Sequence, residues 1–384
     1  ALSAAGKWDK AAHCLEQVLL AKPQSVEGHF YLARVRERQG DVAGAQNLLH
    51  TLVEHVPQVA EAWAELAFLA FRSQNPSLAE THLRRFVTLR PQEAQGWSNL
   101  GIALQQQGRL TEAAEAYERA LLLHPDDAQA HLNRAVLWLY QGDWEKGFQE
   151  YEWRLQREAR RREMAWCASL PRWQGELFSG KRLLVHHEQG FGDALQFCRY
   201  LPSVKARGGW VTLSTKKELV PLLQETAGAD EVVEQRPGMD AAHYDVYVPL
   251  LSLPLLFGTT VRTIPAFSPY LSIPPQRRAV WQERIAKVRQ QGLYKVGLLW
   301  SGARYGGWED YQRSSSLQDW LSLKDIPGVE YYRLQLGEDG EQHRQLNWPM
   351  QDLTEFVENF ADTAALLDEL DLVVTVDTAM AHVA

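Results

Sequence analysis

The first 160 or so residues place apolar positions at helical spacing, and the whole pattern recurs every 34 residues. The most regular marker is proline, found at Pro23, Pro57, Pro91 and Pro125. Small residues keep the same step at Ala11, Ala45, Ala79, Ala113 and Gly147. Glycines keep it at Gly6, Gly40, Gly108 and Gly142, with Gln74 as the exception. A repeat of this length predicts stacked helix pairs, in which proline ends the second helix because it donates no hydrogen bond.

The unit at 94–127 carries the pattern most clearly. It reads Trp97-x-x-Leu100-Gly101-x-x-Leu104, then Ala113-x-x-x-Tyr117, Ala120 and Pro125. This resembles the tetratricopeptide repeat (TPR), a helix–turn–helix unit. Four whole repeats at 26–59, 60–93, 94–127 and 128–161 follow one partial repeat, so we predict an α-helical solenoid over 1–161. Its concave face suits recognition of a protein or peptide; a spacer or dimerisation arm is the alternative, because stacking alone explains the repeated columns.

After residue 170 the pattern changes to short strands that alternate with helices. A Pro- and Gly-containing stretch makes 162–180 a linker. Strands are predicted at 183–186, 210–215, 231–235, 244–249, 295–300, 330–336 and 371–376, and helices at 193–207, 218–226, 317–323 and 362–370. Such alternation favours parallel sheets with helices on both faces. We therefore expect two Rossmann-like halves, at 181–275 and 295–384, joined by a helix at 276–294.

The turn after the first strand of this region holds candidate chemistry. Ligands of parallel sheets bind at the carboxyl ends of the strands, and paired glycines let the backbone approach a ligand closely. Asp193 would begin the following helix, either as an ordinary N-terminal capping acid or as a base that takes a proton from a substrate hydroxyl. The candidate binding residues beside it are Glu188, Gln189, Gly190, Gly192 and Gln196.

Two further strand ends complete the candidate site. After the strand at 295–300, small residues and arginines suit a diphosphate, or else form an ordinary solvated loop. The candidates there are Ser301, Gly302, Arg304 and Arg313. After the strand at 371–376, a helix start could hold an anion, although capping and packing explain the same residues. The candidates there are Asp377, Thr378, Ala379 and His382.

Together these segments resemble the glycosyltransferase family 9 (heptosyltransferase-like) domain. The resemblance rests on Glu188-Gln-Gly-Phe-Gly-Asp193-Ala-Leu-Gln-Phe-Cys-Arg-Tyr-Leu-Pro202, Trp300-Ser-Gly302, Arg313-Ser314 and Asp377-Thr-Ala-Met-Ala-His382. It covers about 170–384 and takes the form that follows TPR repeats in bacterial proteins. It implies a GT-B fold, with acceptor and nucleotide-sugar sides in the first and second halves. The second half is expected to be incomplete, since the family continues with at least one more strand and helix.

The resemblance implies metal-independent transfer of a sugar from a nucleotide-sugar donor to a protein or glycan acceptor. The family's general base falls on Asp193, and its donor loop on Asp377, Thr378, Ala379 and His382. No metal and no cofactor besides the donor is expected, and inversion is the expected stereochemistry. The alternative is a TPR scaffold whose transferase domain is degenerate. A Rossmann oxidoreductase fits poorly, because Gly190 and Gly192 lack the third glycine of the dinucleotide turn.

The composition of the chain excludes some classes of binding partner. Forty Lys and Arg against 48 Asp and Glu give a net charge of −8, which argues against nucleic-acid or anionic-membrane binding. No uncharged apolar run reaches the roughly 18 residues that span a bilayer. The three widely spaced cysteines fit free thiols in a reducing, cytoplasmic compartment.

Overall fold

The chain folds as two compact units, Ala1–Arg157 and Glu158–Ala384. The structure, a computed structural model, describes residues 7–167, 169–236, 239–267, 269–290, 292–302 and 313–384. Within these ranges, no helix combines the length and the apolar character needed to cross a membrane. The division between the units falls at Arg157, shortly before the predicted end of the repeats at 161.

The first unit is a succession of helix hairpins. Its helices are α1 (Trp8–Ala21), α2 (Val26–Arg38), α3 (Val42–His55), α4 (Ala60–Arg72), α5 (Pro76–Leu89), α6 (Ala94–Gln106), α7 (Leu110–Leu123), α8 (Ala128–Gln141) and α9 (Trp144–Tyr151). Each even-numbered helix begins at the first residue of a predicted repeat. The last repeat departs from the others: its second helix, α9, ends at Tyr151 and is followed by a 3-10 helix at Glu152–Gln156.

Small residues set the distance between the helices of a hairpin. Ala45, Ala79 and Ala113 are fully buried. At Gly101, a Cβ atom would lie 2.5 Å from Cε1 of Tyr117, so the tyrosine ring of α7 packs directly on the backbone of α6. The repeated small columns of the sequence are therefore packing positions.

The described residues of the second unit form two four-stranded parallel sheets. The strands are β1 (Arg182–His186), β2 (Trp210–Thr215), β3 (Glu231–Glu234), β4 (Val246–Pro249), β5 (Tyr294–Leu299), β6 (Val329–Arg333), β7 (Gln351–Asp352) and β8 (Leu372–Thr375). Its helices are α10 (Glu158–Glu163), α11 (Phe191–Phe197), α12 (Leu201–Lys205), α13 (Val220–Leu223), α14 (Leu253–Leu256), α15 (Pro275–Val288), α16 (Gln342–Gln345), α17 (Phe360–Leu367) and α18 (Ala379–Val383).

Both sheets have the same topology. The strand orders are β3-β2-β1-β4 and β7-β6-β5-β8, and every pair is parallel. The chain therefore reverses its direction of winding next to β1 in one sheet and next to β5 in the other, which is where parallel sheets bind ligands.

Two local predictions need correction, and one strand was not predicted. The two-residue strand β7 was not predicted, because it is too short to show an alternating pattern. The segment Leu317–Leu323 is a 3-10 helix rather than an α-helix. The connecting helix α15 ends at Val288 instead of 294, because Arg289 already has an extended backbone.

A buried tryptophan and a buried acid join α15 to α17. The Trp281 side chain is fully buried, and its Nε1–H donates to Oδ1 of Asp362 at 3.1 Å. Arg277 donates to the same oxygen at 3.1 Å, so the buried carboxylate is paired as well as hydrogen-bonded. These contacts fix the start of α17, which borders the site described below.

The turns inside the repeats generate a prediction about stability. Gly40, Gly108 and Gly142 adopt left-handed φ angles of 84°, 73° and 84°, and Gln74, which replaces glycine in the same column, adopts 54°. No atom lies within 4 Å of a Cβ atom placed on Gly108, so only backbone strain acts there. We expect Gly108→Ala to lower the free energy of unfolding by about 1 kcal/mol, and Gln74→Gly to raise it by up to about 1 kcal/mol.

Urea denaturation of the full chain measures both changes. Opposite signs for the two variants are the required result. Equal signs would show that the turn backbone does not determine the stability of these repeats.

Candidate functional site

The turn after β1 has an unusual backbone conformation. Gln189 has a left-handed φ of 68°, although the residue carries a Cβ atom and lies next to a glycine. Its carbonyl oxygen accepts hydrogen bonds from Nζ of Lys216 at 3.0 Å and from Nε2 of His187 at 3.3 Å. Backbone strain of this kind persists only where neighbouring groups hold it in place, and it is frequent at functional sites.

Asp193 caps the helix that this turn begins. Its Oδ2 atom accepts a hydrogen bond from the backbone N–H of Gly190 at 2.9 Å, which is the carboxylate half of a capping box at the start of α11, where the N-cap Gly190 has no side chain. Burial raises the pKa of Asp193, while the Gly190 N–H and His382 act in the opposite direction. An ionised carboxylate has about four acceptor sites, so this bond leaves capacity to accept a proton. The capping role and the proton-accepting role are thus compatible.

The turn after β1 contacts the loop after β8. A Cβ atom placed on Gly192 would lie 3.1 Å from Cδ2 of His382 and 3.5 Å from Cα of Ala379. The rings of Phe191 and Phe360 also meet, with centroids 5.0 Å apart. Segments that are almost 190 residues apart in the sequence therefore form one cluster at the carboxyl edges of the two sheets.

His382 is half-buried in this cluster. Burial lowers its pKa, and the nearby carboxylates of Asp377 and Asp193 oppose that effect. Its backbone carbonyl accepts a hydrogen bond from the Tyr270 hydroxyl at 3.1 Å. The sequence allowed His382 either a packing role or contact with a ligand. In the structure it lies beside Asp193, the candidate base.

The other candidates of the β8 loop have different environments. Asp377 is exposed, and Thr378 caps α18 by accepting from the N–H of Met380 at 3.3 Å. Thr378 and Ala379 line a cleft, which is described below.

The turn after β5 is tied down by side chains. Oε1 of Gln335 accepts from the backbone N–H groups of Trp300 and Ser301, at 3.2 and 2.8 Å. Oγ of Ser314 accepts from the N–H of Gly302 at 3.0 Å. These amides are engaged, so a ligand could use them only after Gln335 and Ser314 move.

The side chains of this turn differ in whether they are available to a ligand. Ser301 is 3% exposed, and its hydroxyl donates to Oδ2 of Asp339 at 2.8 Å. Arg313 is half-buried, with Nε 3.5 Å from a Cβ atom placed on Gly302, so a guanidinium does border the turn. Arg304 lies outside the described residues.

Glu188, a predicted binding residue, is enclosed by the protein. Its side chain is fully buried, and one carboxylate oxygen lies 3.8 Å from Nε of Arg160. By contrast, Gln196 is exposed on α11.

A cleft of about 640 Å³ opens beside the cluster. Its walls come from the ends of the second sheet and, on the other side, from Phe191 and Glu218 of the first half. The predicted residues in its lining are Ser301, Gly302, Thr378 and Ala379. Apolar walls are supplied by Leu299, Leu334, Leu336, Val357, Phe360 and Met380. Asp193 lies next to this cleft rather than in its lining.

Sequence reasoning missed two residues that shape the site. Lys216 directly follows β2, and Gln335 follows β6 by two residues. Each reaches from the second strand of its sheet to the turn after the first strand. Both residues lie just beyond a strand, and this position was the one indication in the sequence that they could reach the site. Their partners are backbone groups, which no side-chain motif identifies.

No group of three or more His, Cys, Asp or Glu residues suited to a metal ion occurs in the described part of the chain. The adjacent histidines at the end of β1 have separate surroundings. His186 packs edge-on against Trp166, with ring centroids 5.7 Å apart, and His187 bonds to Thr215 through Nδ1 at 2.8 Å.

The chain is similar to known repeat proteins. Two tetratricopeptide repeat family models match it, at residues 2–67 and 98–160. Protein FlbA of Caulobacter vibrioides is 29% identical over 187 residues, which cover 44% of this chain and 31% of FlbA. The chain thus spans about a third of that curated relative.

Solved structures of MamA are also similar. One crystal structure of MamA is 23% identical, with a TM-score of 0.39, and the match covers 42% of this chain and 95% of MamA. A MamA fragment from Desulfovibrio magneticus RS-1 is 17% identical, also with a TM-score of 0.39, and covers 41% and 91% of the two chains. Together with the helix hairpins, the family matches identify the N-terminal region of this chain as tetratricopeptide repeats, followed by an α/β region with parallel sheets.

Proposed function

We propose that the second unit is a metal-independent glycosyltransferase of GT-B fold, similar to glycosyltransferase family 9. It would transfer a sugar from a nucleotide-sugar donor, with inversion, to a protein or glycan acceptor that the repeats help to recognise. The observation that carries the proposal is the contact of Gly192 with Ala379 and His382. It sets the acid Asp193 beside the loop expected to hold the donor.

The environment of Asp193 suits a general base. Inverting transfer needs one group that removes the acceptor hydroxyl proton as the sugar carbon is attacked. Burial raises the pKa of Asp193, which makes its carboxylate a stronger base than an exposed aspartate. The donor would leave as a nucleoside diphosphate, whose charge the Arg313 guanidinium beside Gly302 is suited to stabilise.

The cleft suits the nucleoside part of such a donor. Its volume of about 640 Å³ lies in the range of small-molecule sites, which combine apolar walls with a few polar groups. Phe191, Phe360 and Met380 offer flat or flexible apolar surface to a base ring. The carboxylates of Glu338 and Asp339 can accept hydrogen bonds from ribose hydroxyls.

A second proposal concerns the repeats, and it stands even if the transferase domain is degenerate. On α6 and α8, Gln95 and Gln129 donate to the side-chain oxygens of Asn99 and Asn133, at 2.9 and 2.8 Å. The same pair thus recurs one repeat apart. One turn further along the even-numbered helices, Phe68 and Val136 are 49% and 43% exposed.

Oriented amides beside apolar side chains suit an extended peptide. The asparagine amides can bond to peptide backbone, and the apolar positions can receive its side chains. We therefore propose that this face, formed by Phe68, Asn99, Asn133 and Val136, binds a segment of a protein partner or acceptor.

The catalytic proposal predicts the effect of Asp193→Asn. The variant should lose between about 10² and 10⁴ of the turnover of a nucleotide sugar, because the base is removed while the shape is kept. Asp319→Asn is the matched control, since Asp319 caps its helix in the same way, bonding to the N–H of Ser316 at 3.0 Å, but is exposed. A donor panel with the wild-type protein comes first. Absence of both donor binding and turnover across the panel would refute the transferase, as would full activity in Asp193→Asn.

The same variant gives a prediction for stability against pH. Because burial raises the pKa of Asp193 in the folded state, the native protein holds this proton more tightly than the unfolded chain does. The group therefore favours folding when protonated, and that contribution is lost as pH rises through the folded-state pKa. Asp193→Asn should gain stability relative to wild type between acid and neutral pH. Thermal unfolding measures this, and a gain that grows toward acid pH instead would contradict the burial of the acid.

The peptide proposal predicts that Asn99→Ala and Asn133→Ala each weaken peptide binding by up to about tenfold, since each removes about 1 kcal/mol of hydrogen bonding. The probe is a peptide selected from a random display library on the wild-type protein, measured by calorimetry. Leu122→Ala on α7, where Leu122 is 71% exposed, is the control on a second helix. A peptide that loses affinity only in the control binds elsewhere and refutes the assignment of this face.

A further inference from the structure

The conformation of Gln189 needs external support. Of the described residues other than glycine, Gln74, Gln189 and Asn347 have left-handed φ angles. A side chain with a Cβ atom disfavours this conformation. Gly190 and Gly192 lie close by, yet the residue with the left-handed backbone is the glutamine. The turn that leads to Asp193 is therefore set by contacts rather than by local preference.

Lys216 supplies one of those contacts. Its ammonium donates to the Gln189 carbonyl at 3.0 Å and lies 4.6 Å from the ring centroid of Phe191. The side chain thus spans the strained residue and the first residue of α11. A hydrogen bond from a charged donor is stronger than one between neutral groups.

His187 supplies the other contact, in a defined protonation state. The Gln189 carbonyl can only accept, so the 3.3 Å contact requires a proton on Nε2 of His187. Nδ1 then accepts from the Thr215 hydroxyl, 2.8 Å away. Burial lowers the pKa of His187 to about 4, so the ring is neutral at physiological pH and a single tautomer satisfies both partners.

The second sheet braces its own turn from the same position. Gln335, just beyond β6, holds the amides of Trp300 and Ser301 as Lys216, just beyond β2, holds the carbonyl of Gln189. β6 neighbours β5 as β2 neighbours β1. A brace at equivalent places in both sheets indicates that fixing these turns is a requirement of the architecture.

We propose that Lys216 and His187 are positioning residues for Asp193. By holding the Gln189 carbonyl, they keep the Gly190 N–H directed at the Asp193 carboxylate and keep α11 against the β8 loop. The catalytic consequence rests on the proposed function, whereas the structural consequence does not.

Hydrogen exchange of the full chain tests the structural consequence. In Lys216→Met, amide exchange in a peptide that covers 188–193 should become about tenfold faster or more. Lys217→Met is the matched control, because the neighbouring lysine is exposed and the charge change is the same. Adding Gln189→Gly to Lys216→Met should restore much of the protection, since glycine adopts a left-handed backbone freely.

Two results would overturn the proposal: equal exchange at 188–193 in Lys216→Met and Lys217→Met, or no restoration by Gln189→Gly. Should Lys216→Met fail to fold, Lys216→Arg and Lys216→Gln test the same point. The arginine variant should retain protection, and the glutamine variant should retain less.

Kinetics test the catalytic consequence. If the protein turns over a nucleotide sugar, Lys216→Met should lower kcat about tenfold with little change in the donor KM, because the base rather than the donor is misplaced. A raised KM with unchanged exchange would instead assign Lys216 to the donor and refute positioning. If no donor is turned over, the proposed function fails, and exchange alone decides whether the turn is braced.

Discussion

The close approach at Gly192 is the constraint on which the second unit depends. A side chain there would meet His382 at 3.1 Å and the backbone of Ala379 at 3.5 Å, so the two connecting segments touch only because position 192 has no side chain. This contact converts two separate parallel sheets into walls of a single cluster. It also explains why an acid at the start of one helix can be influenced by a histidine of the other half.

The two sheets share a strand order, but their braced turns have opposite polarity. In the first sheet the ammonium of Lys216 and the imidazole N–H of His187 donate hydrogen bonds to the backbone carbonyl of Gln189. In the second sheet the side-chain carbonyl of Gln335 accepts hydrogen bonds from the backbone N–H groups of Trp300 and Ser301. The first turn therefore presents a carboxylate at a fixed position. The second holds amides that a competing acceptor, such as a phosphate oxygen, could take over from an uncharged amide.

The sequence predicted most where a physical requirement recurs locally. The period of 34 located the first residues of the repeat helices, because hairpin packing demands small residues at fixed steps. Strand β2 was predicted at Trp210–Thr215, since its apolar run is bounded by polar and glycine residues. The sequence alone could not show the environments that a distant partner decides. Glu188 looks like a cleft residue until Arg160 and the preceding chain bury it. Lys216 looks like a surface lysine until its carbonyl partner is known.

The same local strain has different meanings in the two units. Gln74 lies in a repeat turn where its equivalents are glycines, and it is exposed, so its left-handed backbone is the residual cost of losing a glycine from a repeat. Gln189 has no such equivalents. Its carbonyl bonds to the buried His187 and to Lys216, and the residue before it is the buried Glu188. Around it, burial also raises the pKa of Asp193 and lowers those of His186 and His187. Strain and the raised pKa of Asp193 oppose stability at neutral pH, and the lowered pKa values of the two histidines oppose it at acid pH. Several destabilising features in one turn are expected at a functional site, where they serve to position a proton acceptor. They are not expected in a turn that merely connects a strand to a helix.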